Sequence, residues 1–256
     1  MRNVLIKLLF MALFCVSYNT KAGAFDNTLW LGNNKGASLG VLNVNRAGKI
    51  LRTIRDTEAT GIAIDTKKNL IFFGGDTGQI TARDLNSPAL PIRTINPPVV
   101  NGRDMAFDGS FLWRTDTGNR TVQKINPITG AVVFKFVPAF YVVGIAWDGQ
   151  NLWLSEYNGW KGNERIAQFT PKGVPTGVSF RTHLIDPYYG GFDLVGGLAF
   201  DSTDNTLWLG SRYSRLIHYT TKGVLLGAVK VAGPATETAR FIDGLEFQGV
   251  AACLKP

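Results

Sequence analysis

Gly144-Ile145-Ala146-Trp147-Asp148-Gly149-Gln150-Asn151-Leu152-Trp153-Leu154-Ser155-Glu156 reads as strand, tight turn, strand. Asp-Gly between two apolar runs is a strong short-range hairpin signal. Leu152-Trp153-Leu154 shows no polar alternation, so this strand is expected to be covered on both faces.

The same hairpin recurs along the chain. Its first strand returns as Gly61–Asp65, Asp104–Asp108, Gly197–Asp201 and Gly244–Phe247, and its second as Thr28–Gly32, Asn69–Phe73, Phe111–Arg114 and Thr206–Gly210. Including the opening hairpin, there are five of each. The spacing is about 40 residues, with one longer interval of about 55 between Trp153 and Trp208, and both suit a four-stranded propeller blade. Third strands are expected at Leu39–Asn45, Gln79–Leu85, Thr121–Asn126, Arg165–Thr170 and Arg215–Thr220. After turns rich in Gly and Pro come fourth strands at Lys49–Arg55, Pro91–Ile95, Ala131–Val137, Thr176–Leu184 and Val224–Val231. No stretch after the leader shows a sustained helical apolar period.

The order of the copies matters. The repeat opens on a second strand, Thr28–Gly32, and closes on a first strand, Gly244–Phe247. Pairing the two completes a fifth blade and removes open sheet edges. The expected architecture is therefore all-β: a five-bladed β-propeller of four-stranded antiparallel blades. The C-terminal inner strand closes the ring beside the N-terminal strands. Trp30, Trp113, Trp153 and Trp208, with Phe72 in register, are expected to be inter-blade core. Asp65, Asp108, Asp148 and Asp201 end inner strands and are expected to bond turn amides.

The chain begins with a basic segment, then an apolar run of about nine residues and a small-residue site at Ala22-Gly23-Ala24. That pattern predicts a secretory signal over residues 1–24, a single domain over 25–256, and a periplasmic or secreted protein with no stable membrane anchor after cleavage. Phe14 before Cys15 lacks the small residue of a lipidation site. The formal net charge of +8 falls to +5 once Arg2, Lys7 and Lys21 leave with the leader. The remaining Lys and Arg are scattered, which argues against nucleic-acid binding. Cys253 is then the one remaining cysteine, so no intrachain disulfide can form and burial must hold the fold. A monomer is expected.

Inner strand, Asp, turn, Leu-Trp, then Thr115-Asp116-Thr117-Gly118-Asn119-Arg120-Thr121-Val122-Gln123-Lys124-Ile125 resembles the repeat of NHL-type propellers. The pattern is also similar to streptogramin-lyase and SMP-30-like lactonase propellers. The resemblance covers nearly the whole chain after the leader. It implies that ligands sit on the rim built from loops leading into inner strands and loops joining second to third strands. Two such loops are enlarged. Together they bring Glu156, Tyr157 and Trp160 near Asp186, Tyr188, Tyr189, Phe192 and Asp193. Aromatics beside carboxylates suit a small polar or sugar-like ligand, or a protein partner. The same residues also suit a small satellite core.

Lactonase-like kinship implies a divalent cation such as Ca²⁺ or Mg²⁺ near Glu58, Asp104, Asp193 and Asp243, although Val143 in the same ring supplies no ligand. Lyase-like kinship implies a His base, and the sequence has only His183 and His218. There is no nucleophile elbow, phosphate loop or zinc spacing. A non-catalytic binding module is therefore the leading expectation. A metal-dependent hydrolase or lyase is the alternative, and no catalytic residue is assigned. No cofactor is expected for the binding module.

Overall fold

A computed structural model describes residues 27–33, 40–55, 57, 59–159, 161–184, 194–211, 213–231 and 241–249. Residues 1–24, where a leader is expected, and Cys253 lie outside these residues. The described chain forms five separate four-stranded antiparallel sheets arranged as a ring. The first holds β1 (Thr28–Asn33), β2 (Val41–Asn45) and β3 (Ile50–Ile54). The second is β4 (Gly61–Asp65), β5 (Leu70–Gly74), β6 (Ile80–Asp84) and β7 (Pro91–Ile95). The third is β8 (Gly102–Phe107), β9 (Leu112–Asp116), β10 (Thr121–Ile125) and β11 (Val132–Phe136). The fourth is β12 (Val142–Trp147), β13 (Leu152–Glu156), β14 (Arg165–Phe169) and β15 (Pro175–Arg181). The fifth is β16 (Val195–Asp201), β17 (Thr206–Ser211), β18 (Arg215–Thr220) and β19 (Leu225–Lys230). The last strand, β20 (Ile242–Gln248), pairs antiparallel with β1 and completes the first blade, with Leu31 opposite Leu245 and Trp30 opposite Glu246. The ring is closed by the two ends of the repeat, as the strand order in the sequence requires.

Five apolar clusters fill the seams between blades. Each seam sets the large ring of one second strand into the Leu/Ile face of the next blade. Trp30 meets Ile62 and Ile71, Phe72 meets Met105 and Leu112, and Trp113 meets Ile145 and Leu154. Trp153 meets Leu198 and Leu209, and Trp208 meets Leu245 and Phe247. Opposite each ring, on the inner strand, stands a small residue: Ala63, Ala106, Ala146 or Ala199. Only the closing strand departs, with Glu246 in that register.

Burying an indole N–H without a partner is costly, so each needs an acceptor. The Trp113 Nε1 donates to Asp108 and the Trp153 Nε1 to Asp148, both at 2.8 Å, and the Trp208 Nε1 donates to Asp201 at 3.4 Å. The other oxygen of Asp148 accepts the turn amides of Gln150 (2.9 Å) and Asn151 (2.7 Å). Gly149 (φ 96) supplies the positive dihedral that this turn requires. One carboxylate thus holds the turn and the core tryptophan together. In the closing blade Gln248 takes the same place, accepting the Trp30 indole at 2.7 Å. Burial acts to raise the Asp108 pKa. The Phe111 amide, Lys124, the Trp113 indole and the Ser110 amide outweigh it and hold it below the ordinary value.

Candidate functional site

The inner strands meet at the ring axis, where the repeat places Gly61, Asp104, Gly144, Gly197 and Gly244. Four positions must be glycine because neighbouring backbone is too close for a side chain. A Cβ on Gly144 would lie 2.5 Å from the Gly196 carbonyl oxygen, and one on Gly197 would lie 2.8 Å from the Leu245 nitrogen. The fifth position is Asp104, which is fully buried. Its Oδ1 accepts from the amides of Met105 (2.9 Å) and Leu245 (3.2 Å). Its Oδ2 accepts from Ile145 (3.2 Å) and Leu198 (2.8 Å). A single carboxylate therefore ties four of the five inner strands together at the axis. Burial pushes its pKa well above the ordinary carboxylate value, against the pull of these four amides.

One residue toward the loops stand Thr60, Arg103, Val143, Gly196 and Asp243. Arg103 and Asp243 face each other, with the guanidinium 3.3 Å from Asp243 and also 3.3 Å from Asp76. Asp243 is 2% exposed, so the pair is largely withdrawn from water. Asp76 is carried by the β5–β6 loop. The buried Arg114 fastens that loop by donating to the carbonyls of Gly78 (3.0 Å) and Gly75. Burial lowers the Arg114 pKa to about 10, with Asp116 and Asp76 acting in opposition.

Above the Arg103–Asp243 pair opens a pocket of about 230 Å³, lined by Asn101, Arg103, Thr117, Tyr141, Val143, Tyr157, Phe241 and Asp243. Arg103, Val143 and Asp243 stand at the starts of inner strands, and the others come from the loops leading into inner strands or from second-to-third loops, the rim expected from the repeat. The Tyr157 amide donates to the Tyr141 carbonyl at 2.7 Å and joins two of those loops. The Arg120 guanidinium stacks on the Tyr141 ring, 4.0 Å from its centroid. The site thus combines three aromatic rings with an amide, a hydroxyl and a buried ion pair.

Among the residues expected from sequence, Tyr157 and Asp243 line this pocket, and Asp104, next to Arg103 in the chain, does not. Glu156 does not join them, because its carboxylate accepts from the Arg165 amide (3.1 Å) and pairs with Arg181 (3.4 Å). Trp160, Asp186, Tyr188, Tyr189, Phe192, Asp193 and Glu58 lie outside the described residues. Of the two histidines, His218 stacks on Trp208 at 4.0 Å with Nε2 2.6 Å from the Thr206 hydroxyl. β15 ends at Arg181, so His183 stands beyond the strand rather than ending it. Its amide donates to the Tyr219 hydroxyl at 3.1 Å. Sequence reading passed over Arg103, Tyr141, Asn101 and Phe241. The signal for Arg103 was present: it occupies the same repeat register as Asp243.

The described members of the expected cation set do not fit a cation. All four bonds at Asp104 are to backbone amides, and Asp243 already faces a guanidinium that would repel a metal. No three His, Cys, Asp or Glu side chains among the described residues converge as a metal-binding group.

No protein-family model matches the chain, and no curated protein matches it in sequence. Solved structures do match in shape. The chain is similar to one in the crystal structure of a nidogen/laminin complex, with a TM-score of 0.55 and 14% identity, covering 86% of this chain and 97% of that one. It is also similar to glutaminyl cyclase of Myxococcus xanthus, with a TM-score of 0.51 and 14% identity, covering 75% and 70%. At this identity the likeness is one of fold: the neighbours are β-propellers.

Proposed function

We propose that this chain is an exported propeller of the NHL and SMP-30-like group that binds a small, polar, ring-bearing ligand such as a sugar at the mouth of its axis. The observation that carries this reading is the pocket itself. Tyr141, Tyr157 and Phe241 offer flat apolar surface, while Asn101, Thr117 and the Arg103–Asp243 pair offer hydrogen-bonding groups between them. That mixture suits a ligand with apolar faces and polar edges. Export rests on the basic, apolar and small-residue pattern of residues 1–24. The metal-dependent alternative finds less support, since Asp104 and Asp243 are both engaged.

Saturation-transfer NMR with a panel of neutral and acidic mono- and disaccharides tests the reading. At least one panel member should bind, and Tyr157→Ala should weaken it about tenfold, the equivalent of ~1.4 kcal/mol. Binding that survives both Tyr157→Ala and Tyr141→Ala would remove the mouth as the site. Stoichiometric Ca²⁺ or Mg²⁺ after dialysis, together with turnover in a lactone-hydrolysis screen, would favour the enzymatic alternative.

A further inference from the structure

Two charged residues line the pocket at the mouth, Arg103 and Asp243, and they are not equally open. The Asp243 side chain is 2% exposed, whereas the Arg103 side chain keeps 18% of its surface open. Asp76 is the more exposed carboxylate, at 38%, but it is not part of the lining. Both carboxylates meet the same nitrogen of Arg103, Nη1, at 3.3 Å. Among the described residues Nε and Nη2 have no partner, and these two form one edge of the guanidinium. Two N–H groups so arranged match the two oxygens of a carboxylate. The Asn101 side-chain amide also has no partner among the described residues, although its backbone groups are engaged by Asp116 and Thr117.

A second guanidinium stands beside the pocket. Arg120 is exposed, pairs with no carboxylate among the described residues, and stacks on the Tyr141 ring that forms part of the lining. Its backbone has φ 54, a left-handed conformation that costs a residue with a side chain. Counted from the core ring of each second strand, the same position in the second and fifth blades also has positive φ. There the residues are Gly78 (φ 93) and Ser214 (φ 56). A turn that takes a small residue in those blades holds an arginine against Tyr141 in the third. Three aromatic rings could also attract an organic cation. Here one of those rings already carries Arg120, and a cation would be repelled by Arg103 as well.

We propose that the ligand at the mouth is an acidic sugar, a uronic acid ring whose carboxylate docks on the Nε–Nη2 edge of Arg103. This rests on the sugar-binding reading of the pocket and adds the charge of the ligand. The volume of about 230 Å³ is below the ~300–1,000 Å³ of sites for drug-sized ligands, which limits the occupant to about one ring, free or at the end of a chain. Tyr141, Tyr157 and Phe241 take the apolar face of that ring, and Asn101 takes its hydroxyls. Arg120 draws the anion to the mouth.

NMR titration of the full chain with matched sugars tests this: glucuronate against glucose, and galacturonate against galactose, each pair differing only at C6. At least one uronate should bind about tenfold more tightly than its neutral counterpart. The gap should narrow as sodium chloride rises from roughly 0.01 to 1 M. Arg103→Gln combined with Asp243→Asn removes both charges without stranding either, and should bring the uronate down to the affinity of the neutral sugar. Arg120→Gln changes an exposed side chain, so it should hold the melting temperature and weaken the uronate alone, by about threefold. A neutral sugar that binds as tightly as its uronate, with both lost in Tyr157→Ala, overturns the acidic ligand and leaves sugar binding at the mouth standing. A uronate preference that survives both the double variant and Arg120→Gln overturns the assignment to these arginines. Tighter binding of glucose 6-phosphate than of glucuronate overturns the carboxylate in favour of a phosphate. Binding by none of these probes overturns the acidic ligand and the sugar-binding reading together.

Discussion

The Asp104 carboxylate accepts the amide hydrogen of Leu245 at 3.2 Å, across 141 residues of sequence. One end of that bond is in the third blade and the other in the strand that closes the ring. With Ile145 and Leu198 on its second oxygen, Asp104 gathers amides from three other inner strands at the axis. A buried backbone N–H left without an acceptor costs about 1–3 kcal/mol.

Asp104→Ala should therefore destabilise the protein by about 3–5 kcal/mol, since several buried amides lose their acceptor at about 1–3 kcal/mol each. Asp104→Gly restores the repeat's own residue and opens space for a small anion. Formate should then recover part of the lost stability, whereas the parent protein should not respond. Urea unfolding with and without formate reads this directly. An Asp104→Ala protein as stable as the parent would show that the axis does not depend on the carboxylate.

The blade count, the ring closure and the tryptophan seams could be read in advance because each repeats, and a repeat reports a shared environment. Asp104 also sat in plain view as the one non-glycine among five inner-strand starts. What could not be read was its partners, since they are backbone amides and the sequence does not mark them. The pocket was legible only as a rim. Tyr141 and Arg103 come together through ring curvature, and Glu156 leaves the site because Arg181 holds it. No spacing along the chain encodes either outcome.

Removal of β20 should unfold the domain rather than trim it. A chain ending at Phe241 loses Leu245 and Phe247 from one seam, the acceptor of the Trp30 indole, and the Leu245 amide bound by Asp104. It also leaves β1 as an open edge. Loss of near-ultraviolet circular dichroism together with a non-cooperative urea transition is the expected result. A truncated chain that melts like the parent would contradict closure by strand pairing.

Trp153 and Asp148 separate volume from hydrogen bonding. Trp153→Ala should cost about 3–5 kcal/mol as a large-to-small core change. Asp148→Ala removes no core volume, yet it frees the Trp153 indole, the Gln168 amide and two turn amides. A cost of about 2–3 kcal/mol is expected from those unpaired groups. In the double variant the two losses should fall short of additive by about 1 kcal/mol, because they share one hydrogen bond. Full additivity in urea melts would mean that the indole bond contributes nothing.

Glu246 is the place where the repeat and the closing strand disagree, and pH should expose it. Four blades put alanine in this register, and here a carboxylate faces the seam opposite Trp30. The residue is half-buried. Burial raises its pKa from 4.5 to about 8, although the Phe247 amide, 3.0 Å from the carboxylate, pulls the other way. The folded protein thus binds this proton more tightly than the unfolded chain does. The favourable contribution is complete below pH 4.5, shrinks as pH rises, and is lost once pH passes about 8. Glu246→Gln keeps the shape and removes the titration. The two proteins should have similar stability at pH 4, and the variant should be the more stable by roughly 2 kcal/mol at pH 9, a figure reduced from the full linkage value because the residue is partly exposed. Parallel pH–stability curves from urea unfolding would show that the carboxyl group reaches water in the folded ring.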